Sequence, residues 1–256
     1  MNKIKVGRRQ FLERALVTGG SLFLSGCDQL SQTEWFPKML SSAEKLTQTA
    51  QKLIVPCRAL AQEFSAADIS PVFRSNGTSN PNSPVYQALA ANGFKDYQLK
   101  ISGLVEQPAL YTLAELKALP SRSQITRHDC VEGWSAIGKW QGVPLSQLLQ
   151  RAQPKANARY VVFYCADLMD EQGTAYYESI DMEEAYHPQT LLAYALNDAP
   201  LPIKNGAPIR LRVERQLGYK MAKYVMEIKL LDSFADIADG NGGYWEDQGY
   251  EWFAGI

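Results

Sequence analysis

Apolar positions along the chain recur at two periods, and each period predicts its own kind of element. In residues 41–54, Leu46, Ala50 and Leu53 stand at helical spacing behind a serine pair suited to capping. Residues 56–67 predict a second short helix. Residues 85–92 predict a helix closed by Gly93, and Thr112 opens a capped helix that runs to Leu119. Residues 97–102 (Tyr-Gln-Leu-Lys-Ile-Ser) alternate and predict a strand. The runs 159–165, 209–213 and 224–231 predict further strands. Residues 182–196 predict a helix interrupted at Pro188. Between these elements, residues 74–84 consist of turn formers (Arg-Ser-Asn-Gly-Thr-Ser-Asn-Pro-Asn-Ser-Pro). Such a loop either idles at the surface or wraps a ligand with its backbone amides. Helices and strands alternate without a βαβ rhythm, and no phosphate-binding glycine loop is present. The expected class is therefore α+β, not a doubly wound sheet. The tail, residues 240–256, is rich in glycine and aromatic residues.

Composition narrows the field. The chain has 256 residues, 46% hydrophobic and 21% charged, with a formal net charge of −1. That is long enough for a sizeable core and too apolar for general disorder. The charge balance argues against nucleic acid as a partner, and two histidines leave no room for a His-rich metal site. The first 27 residues read as an address. Arg8-Arg9 followed by Phe11-Leu12 resembles a twin-arginine export signal, and Leu24-Ser25-Gly26-Cys27 resembles a lipobox. The apolar stretch from Ala15 to Leu24 falls well short of the roughly 20 residues a membrane span needs. The stretch 1–27 holds five of the 26 basic residues and one of the 27 acidic ones, so residues 28–256 are 229 residues with a net charge of −5. The expected organisation is a twin-arginine lipoprotein signal over 1–27, a tether with helices over 28–70, and one catalytic domain over 71–256. The expected location is the periplasm, with a lipid on Cys27; Asp28 behind it favours the inner membrane.

Two clusters carry reactive side chains. In Arg127-His128-Asp129-Cys130-Val131-Glu132-Gly133-Trp134, the thiol of Cys130 is suited to nucleophilic, redox or soft-metal chemistry. If this segment is extended, His128 and Cys130 share a face. A Cys–His nucleophilic pair, a metal-bound thiolate and an inert buried cysteine are then all open. The second cluster comprises Asn205-Gly206-Ala207-Pro208-Ile209-Arg210 and Gly218-Tyr219-Lys220-Met221-Ala222-Lys223. Its Arg210, Lys220 and Lys223 suit an anionic, heteroatom-rich ligand, or else form the solvated outer face of a strand. An anion-binding module without catalysis is the matching non-enzyme alternative. His187, ahead of a proline and an apolar run, reads as structural.

Taken in order, these motifs resemble the sulfite oxidase-type molybdopterin oxidoreductase family. They are Cys130-Val-Glu-Gly-Trp134 with Trp140-Gln-Gly-Val-Pro-Leu145, His187-Pro-Gln-Thr-Leu-Leu-Ala-Tyr194, Asn205-Gly-Ala-Pro-Ile-Arg-Leu211, and Gly218-Tyr-Lys-x-x-Lys223. The likeness spans about residues 71–232 and is nearest to the catalytic subunits of periplasmic methionine-sulfoxide reductases. The resemblance implies a sulfite oxidase-type molybdopterin-binding fold with mixed sheets. It implies a molybdenum–pyranopterin cofactor with Cys130 as the metal's thiolate ligand. Asn76, Cys165, Asn205, Arg210, Met221, Ala222 and Lys223 become cofactor-binding positions, and His128, Trp134, Asp167 and Tyr219 candidate pocket residues. The implied partners are a small-molecule oxide and a cytochrome b-type membrane protein supplying electrons to a monomeric catalytic subunit. Sulfite oxidases carry a basic pair soon after the metal cysteine. Val131-Glu132-Gly133-Trp134 stands in its place here, which argues against sulfite. Gly77-Thr78-Ser79 likewise replaces the aromatic-acidic residues of the reductases, and the loop after Cys165 is short.

Overall fold

The structure is a computed structural model that describes Leu46, Thr49 and residues 59–256. The chain divides into two compact units, Met1–Ile54 and Val55–Ile256. In the first, Leu46 and Thr49 are helical, as expected for residues 41–54. The export motif and Cys27 and Cys57 lie outside the described residues. No helix among the described residues is long and apolar enough to cross a membrane.

The second unit is α+β, built on two five-stranded sheets. One sheet runs β2 (Ala109–Thr112), β1 (Gln98–Gly103), β10 (Val225–Leu231), β5 (Tyr160–Leu168), β6 (Ala175–Asp181), with β1 and β10 parallel and the other pairs antiparallel. The other runs β3 (Arg122–Cys130), β4 (Trp134–Pro144), β7 (Leu191–Leu196), β8 (Ala199–Pro200), with β9 (Arg210–Arg212) also paired to β7. The helices are short and their sequences mark their ends. Ser83 caps α1 (Pro84–Ala91), where Pro84 occupies a first-turn position that needs no N–H donor. Thr112 and Glu115 form a capping box on α2 (Leu113–Ala118). In α3 (Leu145–Ala152), Leu145, Leu148, Leu149 and Ala152 form one buried face. That face joins the main core, which draws Leu99, Phe163 and Ile228 from the first sheet and Val143, Leu192 and Leu211 from the second.

Two expectations fail. Helix forms over only α4 (Met182–Ala185) of residues 182–196, and after Pro188 the chain becomes β7, with Leu192 opposite Val143 and Leu211. Proline cannot continue the helical ladder, and the run Leu-Leu-Ala-Tyr-Ala-Leu, with its first three residues fully buried, gains more from two strand neighbours than its helix propensity offers. The helix expected over 56–67 is likewise absent from residue 59 on. Glu63 bridges to Thr126 of β3, and a single 3-10 turn, Ala66–Asp68, follows under a Ser65–Asp68 capping box.

Candidate active site

Strand β3 positions the first reactive cluster. Its alternation buries Gln124, Thr126, His128 and Cys130 and turns Arg127 outward. The strand ends at Cys130, where a tight turn reverses the chain into β4 so that Trp134 lies opposite Cys130. Gly133 holds φ +83° in that turn, a conformation costly for any residue with a Cβ. Cys130 is thereby delivered to the edge of a cavity lined by Asn76, Thr78, Asp167, Tyr219, Met221 and Lys223 among others.

The turn-rich loop of residues 74–83 is not idle. Lys223 Nζ donates to Asn76 O (2.5 Å), to Thr78 O and to Lys204 O (3.2 Å), and Tyr224 OH donates to Thr78 O (2.8 Å). One buried ammonium thus pins the loop so that Asn76, Gly77 and Thr78 form a cavity wall. Asn205 lies behind the cavity, its Nδ2 donating to Arg74 O (3.5 Å) and its carbonyl accepting from Arg210 Nη1 (3.3 Å).

The basic residues of the second cluster, and Arg212 beside them, are buried, which overturns a solvated strand face for them. Arg210, Arg212 and Lys220 have no exposure and Lys223 has 6%. Their charges are answered very unequally. Arg212 forms a two-pronged pair with Glu214 (2.9 and 2.6 Å) and lies over the Trp140 ring (4.3 Å). Lys220 is clamped between Glu178 and Glu246 (2.5 Å each). Its charge is neutralised there, so its expected part in an anion site falls away. Arg210 has no carboxylate. Its guanidinium sits over Trp140 (5.4 Å), and Nε and Nη2 have no partner at all. Burial and the charge of Arg212 push its pKa down to about 9.

The same imbalance reaches the cavity. Burial, then the charge of Arg210, push Lys223 down to about 7, and burial pushes Asp167 up to about 6. Asn76 Oδ1, His128 Nε2 and Asp167 Oδ1 are also buried without partners. Native proteins leave few such atoms, and a cluster of them marks a missing ligand.

His128 and Cys130 share a face, yet they form no catalytic dyad. His128 Nδ1 accepts from Arg212 Nη1 (3.1 Å) and lies 3.2 Å from Met221 Sδ. Burial, with Arg210 and Arg212, drives the imidazole pKa well below its usual value, and burial raises that of the Cys130 thiol. Both groups rest neutral, the reverse of a thiolate–imidazolium pair. Gly218 makes this packing possible, since a Cβ there would sit 2.4 Å from His128 Cε1. The remaining expected residues lie around this centre. Trp134 stands beside His128 (ring centroids 5.5 Å apart) and donates to Glu132 (3.0 Å). The Tyr219 ring lines the cavity while its hydroxyl donates to Glu251 O (2.7 Å). Cys165 and Ala222 are buried behind the wall, and Cys165 is unbridged. His187 is structural as expected, with Nε2 3.1 Å from Ala59 O.

The fit to a molybdopterin can be tested on these atoms. No three His, Cys, Asp or Glu side chains are grouped to hold an ion among the described residues. A metal at Cys130 must therefore bring most of its ligands with it, as a metal on a dithiolene does. The unpartnered guanidinium nitrogens call for an anion such as a phosphate, and the unpartnered Asn76 and His128 atoms call for a polar heterocycle. The residues fit the group.

Fold and site together define an enzyme built around an anionic, heteroatom-rich cofactor approached by one thiol. The chain belongs to the oxidoreductase molybdopterin-binding domain family, whose model matches residues 86–236, and it is a molybdenum cofactor-dependent oxidoreductase. It is 39% identical over 248 residues, 97% of this chain and 87% of the relative, to YedZ1 of Azospira oryzae, which is named as a candidate protein-methionine-sulfoxide reductase subunit. It is also 39% identical to catalytic subunits of protein-methionine-sulfoxide reductases, MsrP, from Ralstonia nicotianae (53% of this chain, 44% of the relative) and Xanthomonas campestris (56% and 47%). The match thus spans about half the length of each MsrP relative. Among solved structures, the sulfane dehydrogenase SoxCD of Paracoccus pantotrophus aligns with a TM-score of 0.49 and 26% identity over 54% of this chain and 39% of that one. Family and relatives bear out the resemblance read from the motifs.

Two features had no local signal in the sequence. Trp140, the platform under Arg210 and Arg212, belongs to a quoted motif but carries no chemistry of its own. The partners of Lys220 lie 42 and 26 residues away. Burial raises the pKa of Glu178 well above the carboxylate range despite Lys220. Lys220→Met strands both carboxylates and should cost about 3–5 kcal/mol of stability in urea unfolding. Adding Glu178→Gln and Glu246→Gln should recover most of that loss.

Proposed function

We propose that this chain is the catalytic subunit of an exported, molybdenum-dependent reductase of organic S- or N-oxides. One observation carries the proposal: a thiol opens onto a cavity, and near it lies a wholly buried guanidinium that pairs with no carboxylate among the described residues. Cys130 would ligate the metal. Arg210, with Asn205 behind it, would hold the phosphate, and Asn76, Met221, Ala222, Cys165 and Lys223 would enclose the pterin. When bound, the cofactor supplies two electrons and a site that accepts the oxygen atom. Oxide, two electrons and two protons then give the reduced compound and water.

The chain's own residues handle position and protons. Asp167, with a pKa near 6 at the cavity wall, holds a proton at mildly acidic pH and is the group best placed to pass one to a departing oxygen. His128 stays neutral. Since Nδ1 accepts from Arg212, its proton sits on Nε2, so the ring adds a donor without adding charge. Trp134 packs beside the ring. The relatives are named as subunits, which supports a separate electron partner, proposed to be a cytochrome b-type membrane protein. The twin-arginine and lipobox motifs support a periplasmic location and a lipid on Cys27. The test is turnover: protein matured in a molybdopterin-competent host should bind about one molybdenum per chain and reduce sulfoxides or N-oxides with a reduced dye. Metal-free protein with undiminished activity sinks the proposal.

Lys223 gives a pH prediction for the cofactor-free protein. Its folded pKa, near 7, lies below the 10.5 of a free lysine, so the folded state holds fewer protons between those values. Stability should therefore rise with pH from about 7 to about 10, by up to a few kcal/mol from this group. Asp167 acts in a lower window. Its raised pKa lets the folded state hold the extra proton, so stability falls as pH rises from about 4 to about 6. An anionic cofactor should restore the lysine's charge, so Cys130→Ser protein, which loses no thiol proton to the metal, should take up protons on loading at pH 8. Calorimetry in two buffers of different ionisation heat measures that uptake, and proton release by this variant would refute it.

A further inference from the structure

The cavity also carries an aromatic wall. Trp245 and Tyr250 stack with ring centroids 5.4 Å apart at 28°, and Tyr219 meets Tyr250 edge-on at 5.2 Å. All three line the cavity that Cys130 reaches. Tyr219 falls within the residues 86–236 that the family model matches, whereas Trp245 and Tyr250 lie beyond them. The wall is firmly held. Trp245 lies in α5 (Tyr244–Asp247), whose Glu246 binds the buried Lys220, and Lys220 follows Tyr219 in the chain. The Tyr219 carbonyl accepts from Tyr176 OH (2.6 Å).

The charges at the cavity point the same way. Its charged lining residues are Glu132, Asp167 and Lys223. The ammonium of Lys223 is committed to three backbone carbonyls. Glu132 is exposed at the mouth, steadied by Trp134 Nε1. An incoming inorganic oxyanion meets carboxylates and ring faces, which repel it. A carbon-substituted oxide instead finds a flat apolar surface, and a cationic substituent gains further from the rings.

We propose that Tyr219, Trp245 and Tyr250 form the subsite for the organic side of the oxide, selecting neutral or cationic carbon-substituted oxides over inorganic oxyanions. The proposal rests on the oxide-reductase reading above and adds the residues that choose its substrate. Trp245 is the specificity-determining residue, and the Lys220–Glu246 pair positions it.

The test is steady-state kinetics on the molybdenum-loaded full chain with a reduced dye. Methyl phenyl sulfoxide, dimethyl sulfoxide and nitrate serve as acceptors. The wild type should favour the phenyl compound in kcat/KM and use nitrate least. Trp245→Ala should cut the phenyl-to-dimethyl preference about tenfold, through KM, as expected for one lost aromatic stack. Trp245→Phe should restore most of it, and Tyr250→Leu should lower it in the same direction. An unchanged preference in Trp245→Ala, or nitrate as the best acceptor, overturns the proposal. If the loaded enzyme reduces no oxide, the oxide-reductase reading fails instead, and binding decides on the wall. Methyl phenyl sulfoxide should then still quench tryptophan fluorescence in the loaded wild type and not in Trp245→Ala. The absence of quenching in the wild type overturns it.

Discussion

Cys130→Ser should abolish molybdenum-dependent turnover, lowering it by at least about a hundredfold, while leaving the fold intact. The two side chains differ by one atom, and the position is 8% exposed at the end of a strand whose backbone pairing does not involve the side chain. A loss of more than about 1 kcal/mol in stability is therefore not expected. The chemistry changes far more. A thiolate is a soft, strongly donating ligand, whereas a serine hydroxyl is hard and gives up its proton only at far higher pH. The surroundings add to the contrast, because burial already disfavours charge on Cys130 and only a bound metal makes its anion favourable. The proposed phosphate and pterin contacts lie elsewhere, on Arg210, Asn76 and Lys223, so the variant should retain much of its pterin. The measurements that check this are turnover, molybdenum and pterin content, and the thiolate-to-metal absorption band. Full activity with a normal metal content would remove Cys130 from the role proposed for it.

The distinction between pterin contacts and the thiol shows how much the sequence made legible. Elements signalled by local chemistry were clear: the capped helix that Thr112 opens, the helix ahead of Gly93, and the alternation of residues 97–102. Elements decided by tertiary partners were not. Residues 191–196 carry helix-forming Leu and Ala, yet they form a strand because β4 and β9 flank them. The site divides in the same way. Cys130, Asn205, Arg210 and Lys223 stood out through motifs. The loop at Asn76 was ambiguous alone, since turn formers look the same whether a loop idles or folds inward. Only the reach of Lys223 across 147 residues of sequence distinguishes the two. The basic cluster also hid its own division of labour. Arg212 and Lys220 have buried carboxylates and Arg210 has none, and three similar cations in sequence give no hint of which one is left over.

That leftover charge makes the second large prediction, one with opposite signs in the two states of the protein. Arg210→Met should stabilise the cofactor-free chain and ruin cofactor loading. Without an anion, the guanidinium is buried with one long hydrogen bond to Asn205 O (3.3 Å) and two nitrogens unpartnered. Its neighbour Arg212 repels it, and the ring of Trp140 returns only about 0.5–2 kcal/mol. Methionine fills similar space with no charge to desolvate, so urea unfolding should show a gain of about 1–4 kcal/mol in protein from a host that makes no pterin. In a competent host the sign reverses. Charge-assisted bonds to a buried phosphate are worth about 1.5–3 kcal/mol each, and losing two should cut cofactor retention at least about a hundredfold. A residue that served only to pack the strand would lower stability in both states. A destabilised cofactor-free variant, or a normal molybdenum content in the loaded one, would show that Arg210 is not the anchor. The two signs together explain why a costly charge sits at the start of β9. With Arg210 in the proposed role, the anionic cofactor would both make the chain an enzyme and answer the charge that its own carboxylates leave unpaired.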